Sequence, residues 1–168
     1  EGGTVCLAPA PGARPNVPAA VDCGESGSTL RFLIPLFAAK GIPAVFTGRG
    51  RLPERPLGVY ADCLPSHGVE MQAPGGGKSL PLRVSGRLEA GCFRLPGDVS
   101  SQFVTGLLLA LPLCGEESEI RLTTPLQSAA YVTMTIETMA RFGVRAEALP
   151  DGWRIPGGQA YRPHAETV

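Results

Sequence analysis

From Leu30 onward, apolar side chains recur at helical spacing: Leu30, Phe32, Leu33, Leu36, Phe37 and Ala38. Ser26 or Ser28 stands at the cap position before them, and Gly41 followed by Pro43 stops the run, so a helix is expected between. Short apolar runs flank it and read as strands: Thr4–Ala8 and Ala19–Cys23 before, split by the Pro/Gly-rich loop Pro9–Pro18, and Ala44–Thr47 after. Gly48–Pro53 is a loop rich in Gly and Arg. Pro56 suits the first turn of a second helix, Leu57–Leu64. Val69–Gln72 and Leu80–Val84 read as paired strands around the loop Ala73–Lys78.

The second half follows the same order. A Gly-Asp-x-Ser-Ser turn (Gly97–Ser101) opens a helix over Gln102–Leu113, a strand follows at Glu119–Thr123, and a further helix spans Ala130–Phe142 and closes at Gly143. Val144–Ala148 and Gly152–Ile155 read as the last two strands. The helix-ending Gly68-Val69 recurs as Gly143-Val144, so the chain reads as two units, 19–86 and 91–157, with low identity between them. Val104–Leu113 is apolar nearly all round, which places its helix inside the protein, between sheets. A doubly wound fold would instead set its helices on the outside. The expected class is therefore α/β (α+β), with repeated βαβαββ units and buried helices.

Composition narrows the function. The 168 residues carry 15 basic and 15 acidic side chains and are 43% apolar, the balance of one globular domain. Zero net charge argues against nucleic acid as the partner, since a phosphate backbone requires a basic face. The longest strongly apolar stretch, Phe103–Leu113, is too short to span a bilayer, so no membrane role is expected. The basic residues are 13 Arg and 2 Lys, which favours bidentate capture of small anions. Five Cys, with no C-x-x-C and no His nearby, point to reduced, mostly buried thiols in a cytoplasmic protein and not to a zinc site. The chain begins at Glu1 without Met and reads as a piece of something longer.

Four segments carry candidate chemistry. In Gly24-Glu25-Ser26-Gly27-Ser28-Thr29-Leu30-Arg31 a strand runs through a small-residue turn into a helix N-terminus, whose free N–H groups and dipole favour an anion. Arg31 sits one turn in, where it would support that site. Gly97-Asp98-Val99-Ser100-Ser101-Gln102 clusters two hydroxyls and an amide at the next helix start. Gly48–Pro56 sets Arg49, Arg51 and Arg55 on a Gly/Pro loop suited to clamping an anion. Ser128-Ala129-Ala130-Tyr131 opens the last helix. Each segment alone is equally an ordinary cap, a solvated loop or core. Gly75-Gly76-Gly77-Lys78-Ser79 imitates the end of a nucleotide-binding loop, but Gln72 stands where the first Gly belongs and strand residues follow, so a hairpin loop is expected. His67 and His164 lack triad or metal partners, and no Cys has a neighbour to activate it.

Gly24–Arg31, the Arg51-x-x-Glu54-Arg55-Pro56-Leu57-Gly58 segment, Gly97–Phe103 and Ser128-x-x-Tyr131 occur together, in order and spacing that resemble the 5-enolpyruvylshikimate-3-phosphate synthase family over nearly the whole chain. The resemblance implies an inside-out α/β domain, barrel-like, of three repeats with buried helices, joined in the whole protein to a similar second domain. It implies transfer of the enolpyruvyl group of phosphoenolpyruvate to the 5-hydroxyl of shikimate 3-phosphate, by addition and then elimination of phosphate, without metal or organic cofactor. By motif position, Ser100, Ser101, Gln102, Ser128 and Tyr131 would hold shikimate 3-phosphate. Arg55 would grip phosphoenolpyruvate with Gly27 beneath it, where the inhibitor glyphosate also binds. Gln102 would lie between the two substrates, and Glu25 and Arg31 would be supporting residues.

Three departures from the pattern stand out. Glu25 replaces a frequent Asn, and its carboxylate should weaken anion binding unless it is paired or turned away. Ala129 replaces a common Lys or Arg. The family's catalytic Lys, Asp and Glu fall in an N-terminal segment and a second domain that this chain does not include. The 168 residues are therefore expected to be about two of three repeats of one domain, inactive alone, with the second domain as partner. A related transferase acting on UDP-N-acetylglucosamine places a reactive Cys where Gly50 stands here, and no Cys lies between Arg49 and Arg55. A third reading, a non-catalytic anion-binding repeat module, finds no heptad, aromatic stripe or charge run to serve as a partner surface.

Overall fold

A computed structural model describes residues 18–164. The strand expected at Thr4–Ala8 lies outside these residues. β1 (Ala19–Asp22), α1 (Gly27–Lys40), β2 (Ala44–Thr47), α2 (Gly58–Cys63), β3 (Val69–Gln72) and β4 (Leu82–Gly86) are followed by β5 (Cys92–Leu95), α3 (Ser101–Ala110), β6 (Ser118–Leu122), α4 (Ala129–Arg141), β7 (Glu147–Leu149) and β8 (Gly152–Ile155). Two four-stranded sheets form, in the orders β1-β2-β4-β3 and β5-β6-β8-β7. In each sheet the first pair is parallel and the other pairs are antiparallel. A parallel pair needs a crossover, and α1 and α3 supply it.

The two crossover helices pack against each other, and α4 packs on α3. Phe103, Val104, Leu107, Leu108 and Ala110 of α3 are all fully buried, together with Leu30 and Ile34 of α1 and Tyr60 of α2. An apolar surface that continuous can be covered only from several sides, so α3 lies in the middle. This packing brings the N-termini of α1 and α3 together, and with them the loops that follow β1 and β5.

Several boundaries differ from the sequence expectation, each for a local reason. Pro81 cannot donate to a ladder, so β4 starts at Leu82 and not at Leu80. Pro65 and Pro112 end α2 at Cys63 and α3 at Ala110, and short 3-10 segments carry the chain on to His67 and Leu113. The N–H of Val144 bonds back to Met139 at 3.0 Å while Gly143 takes a left-handed φ of 80°. Val144 thus closes α4 with a buried side chain, and β7 begins only at Glu147. β5, whose Phe93 and Leu95 point inward while Cys92 and Arg94 are exposed, was not picked out as a strand by the sequence pattern. Gly75, Gly76 and Gly77 all adopt positive φ, and Gly75 bridges Lys78, which makes the glycine run a tight loop between β3 and β4. Cys23, Cys63 and Cys114 are buried free thiols and Cys92 is an exposed one.

Candidate functional site

The three helices that matter begin differently. Ser26, not Ser28, caps α1, accepting from the Thr29 N–H at 3.1 Å. This leaves Ser28 free for another role. Ser100 caps α3, accepting from the Gln102 N–H at 3.3 Å. Ser101 follows in the first turn, nearly buried, with its hydroxyl making no bond to another described residue. Ser128 sits at the cap position of α4 in the left-handed region, φ 57° and ψ 44°, and its side chain does not cap the helix. It is the one described non-glycine residue with positive φ, a conformation that costs a serine about 1 kcal/mol or more. Its side chain is thus not spent on its own helix, and the residue lines a cleft. Two short seams hold these turns in place: Thr124 donates to the Asp98 carboxylate at 2.7 Å and accepts from the Gly97 N–H at 2.9 Å, and the Gln127 N–H bonds the Gly97 carbonyl at 2.9 Å.

The result is a cleft of about 640 Å³ between α3 and α4. Ser100, Ser101, Gln102, Ser128 and Tyr131 all line it, so all five residues assigned to one substrate face a common space. Ser28, Thr105 and Thr135 join them, and the Thr105 and Thr135 hydroxyls lie 3.3 Å apart. These three were not singled out for this cleft from the sequence. Thr105 follows Ser101 by four positions on α3, a helical spacing that would have flagged it. Among the described residues, no carboxylate, Lys, Arg or His lines this cleft.

Gln102 connects the cleft to a cationic pocket. Its side-chain N–H donates to Ser28 Oγ at 2.8 Å, and its Oε1 accepts from Arg31 Nη1 at 2.6 Å. Arg31 also donates to the Pro56 carbonyl at 3.2 Å, and its guanidinium lies 4.7 Å from the Phe103 ring centre. At 7% exposure Arg31 is a buried cation, and no carboxylate of the described residues pairs with it or with Arg55. Its Nε has no acceptor among the described residues. Burial first, and the neighbouring Arg55 charge second, push its pKa below the usual arginine value. Gly27 lies beneath both cations. A Cβ there would sit 2.7 Å from Arg55 Nη1, 3.2 Å from Arg31 Nη1 and 3.4 Å from Gln102 Oε1. Two cations facing one bare stretch of backbone, with no ion-pair partner among the described residues, form a site for an anion.

The remaining arginines and Glu25 fall elsewhere. Arg51 and Glu54 border a further hollow of about 370 Å³, which they share with Pro56 and Arg55. Arg49 turns to Asp22 at 3.8 Å, with both side chains exposed. Glu25 is exposed and folds over Gly50, where an added Cβ would come within 2.7 Å of its carboxylate. It makes no ion pair with any described arginine.

The fold can be placed first. An EPSP synthase from Acinetobacter baumannii superimposes with a TM-score of 0.74 over 87% of this chain and 32% of its own, at 24% identity. The architecture is thus the α/β fold of the enolpyruvyl transferases. The family follows from sequence: the family model for EPSP synthase (3-phosphoshikimate 1-carboxyvinyltransferase) matches residues 1–168, and the chain belongs to that family. A 3-phosphoshikimate 1-carboxyvinyltransferase of Clostridium kluyveri is 47% identical over 152 residues, 89% of this chain and 34% of the relative. One from Halobacterium salinarum is 42% identical over 153 residues, 90% and 36% of the two chains. The chain spans about a third of the length of these relatives.

Proposed function

We propose that the protein of which this chain forms a part transfers the enolpyruvyl group of phosphoenolpyruvate to the 5-hydroxyl of shikimate 3-phosphate. The observation that carries this reading is the junction at Gln102, where a neutral hydroxyl-lined cleft meets two unpaired guanidinium groups. The two halves suit two different anions. Phosphoenolpyruvate, small and densely charged, takes Arg55 and Arg31 over the open backbone at Gly27. Shikimate 3-phosphate lies in the cleft, its phosphate among Ser100, Ser101 and Ser128 and its ring against Tyr131. Gln102 touches both and fixes their separation, which is the entropic part of catalysis.

Addition of the hydroxyl across the enol double bond needs a proton donor and a base, and elimination of phosphate from the ketal needs them again. The cleft offers neutral hydroxyls and an amide and no such group at neutral pH. We therefore assign the described residues to binding and place the acid–base groups outside this chain. The units 19–86 and 91–157 are read as two repeats of one domain; the rest of that domain and a second domain complete the enzyme. On this reading the isolated 168-residue chain binds without turnover. The four cysteines among the described residues are free thiols, which fits a reducing, cytoplasmic setting. Gly50, at the position of the reactive Cys in the UDP-N-acetylglucosamine enzyme, weighs against that substrate.

The test is an assay of the full-length protein for phosphate release from phosphoenolpyruvate, with shikimate 3-phosphate or UDP-N-acetylglucosamine as acceptor. Release with shikimate 3-phosphate alone is expected. Release only with the nucleotide sugar, or with neither, refutes the assignment.

A further inference from the structure

Pro35 lies inside α1. It has no N–H, so the carbonyl four residues back, that of Arg31, loses its usual intrahelical donor. A buried carbonyl left that way is costly, and water cannot reach it here. The Tyr60 hydroxyl stands 2.9 Å from this carbonyl and 3.0 Å from that of Phe103. Tyr60 is fully buried, and its ring meets Phe103 edge to face with centres 4.9 Å apart. The arrangement demands a gap in α3 as well. A Cβ on Gly106 would overlap both the Tyr60 hydroxyl and the Arg31 carbonyl and lie 3.2 Å from Pro35 Cγ. Pro35, Tyr60 and Gly106 thus fit one another from three helices.

What they hold is the backbone of Arg31 and Phe103, the two residues whose side chains make the cation–ring contact. Tyr60 also sits on α2, shortly after Arg55 and Pro56, whose carbonyl accepts from Arg31. One hydroxyl therefore ties the helix bearing Arg31, the helix bearing Gln102 and the segment bearing Arg55.

We infer that Tyr60 is a positioning residue: by supplying the donor that Pro35 removes, it locks Arg31 against α3 and Arg55 and so sets the anion pocket above Gly27. This rests on the enolpyruvyl transfer reading and adds to it a residue that touches no substrate. It also predicts a split between ligands, because the turns before Ser100 and Ser128 are tied to each other by a seam through Gly97, Asp98, Thr124 and Gln127 in which Tyr60 takes no part.

The experiment uses the full-length protein with Tyr60→Phe, Pro35→Ala and the double variant. Steady-state kinetics at saturating shikimate 3-phosphate give the KM for phosphoenolpyruvate as the measure of its binding, and calorimetry measures shikimate 3-phosphate alone. Tyr60→Phe should weaken phosphoenolpyruvate binding by roughly tenfold and leave shikimate 3-phosphate within about twofold. Pro35→Ala restores an N–H to the orphaned carbonyl, so in its background the Tyr60→Phe loss in affinity and in melting temperature should shrink by at least about half. An unchanged phosphoenolpyruvate affinity, or equal loss for both ligands, overturns the positioning role. Additive melting temperatures overturn the carbonyl contact itself. Failure of the wild-type protein to bind phosphoenolpyruvate overturns the functional reading instead, which the melting-temperature cycle, needing no ligand, keeps separate.

Discussion

Arg31 donates to the side-chain oxygen of Gln102 at 2.6 Å across 71 positions of sequence. A buried guanidinium normally finds a carboxylate; here it finds a neutral amide, so the positive charge is held in place without being cancelled. That choice keeps the pocket above Gly27 attractive to an outside anion.

The first prediction tests this directly. Gln102→Glu would give Arg31 a carboxylate of the same shape. Folding stability should hold or rise, by up to about 1 kcal/mol, while phosphoenolpyruvate affinity falls by about 1–3 kcal/mol. Melting curves and calorimetry on the full-length protein report the two. Equal or tighter phosphoenolpyruvate binding would show that the uncancelled charge is not what draws the ligand.

Gly27→Ala places a methyl 2.7 Å from Arg55 Nη1. The neighbour is the tip of a flexible side chain, so the fold should lose less than about 1 kcal/mol. Arg55 must move, however, and the ligand space shrinks. A rise of roughly tenfold or more in KM for phosphoenolpyruvate, with little change for shikimate 3-phosphate, is expected. Steady-state kinetics decide it, and a loss confined to shikimate 3-phosphate would place Gly27 under the wrong substrate.

Arg55→Lys keeps the charge and loses the fork that can grip a carboxylate or phosphate with two parallel bonds. Phosphoenolpyruvate affinity should drop by about 1.5–3 kcal/mol. Wild-type affinity in calorimetry would leave Arg55 as a solvated surface charge.

Ser101→Ala removes a hydroxyl that faces the cleft and bonds no other described residue. Stability should change by less than about 0.5 kcal/mol, since no internal bond is lost. Shikimate 3-phosphate should bind more weakly by about 1–2 kcal/mol. If its affinity stays the same, the phosphate lies elsewhere in the cleft.

His67 gives a pH prediction away from the site. Its ring stacks on Phe93 with centres 3.8 Å apart, and burial lowers its pKa, outweighing the raising effects of its bond to the Cys92 backbone and of Glu89. The folded state therefore resists protonation more than the unfolded chain, whose His titrates at about 6.5. The unfolded state binds more protons just below that pH, so stability is complete above about pH 6.5 and declines as pH falls toward the lower folded pKa. His67→Gln should flatten the dependence of melting temperature on pH across that interval. An unaltered slope would assign the acid sensitivity to other groups.

Much of the candidate site was legible because its parts are local. Ser100 and Ser101 stand at a helix start, Gly27 follows a strand, and Arg55 precedes a proline, all patterns fixed by capping and turn chemistry within a few residues. Ser26 against Ser28 was not decidable, because either hydroxyl can cap and only the position of Gln102 on another helix claims Ser28. The Leu80 and Val144 boundaries failed for a related reason. Both residues are apolar and buried as a strand residue would be, but Leu80 precedes a proline that cannot join the ladder and Val144 is used to close α4. β5 is harder to read than the other four-residue strands because Arg94 breaks its apolar run and Gly91 and Pro96 close in on both sides, as they would in a loop.

The sequence alone determined the alternation of helix and strand, the apolar girth of α3 and the hydroxyls, glycines and arginines at the element ends, since each follows from steric or hydrogen-bonding preferences of neighbouring residues. Only the tertiary structure decided that Arg31 would be buried without a counter-ion, that Gln102 would bridge it to Ser28, and that Tyr60 would answer the carbonyl left by Pro35. Those are contacts between helices separated by tens of residues, and they arise when the burial of α3 draws α1 and α2 against it, a packing event that no single segment encodes.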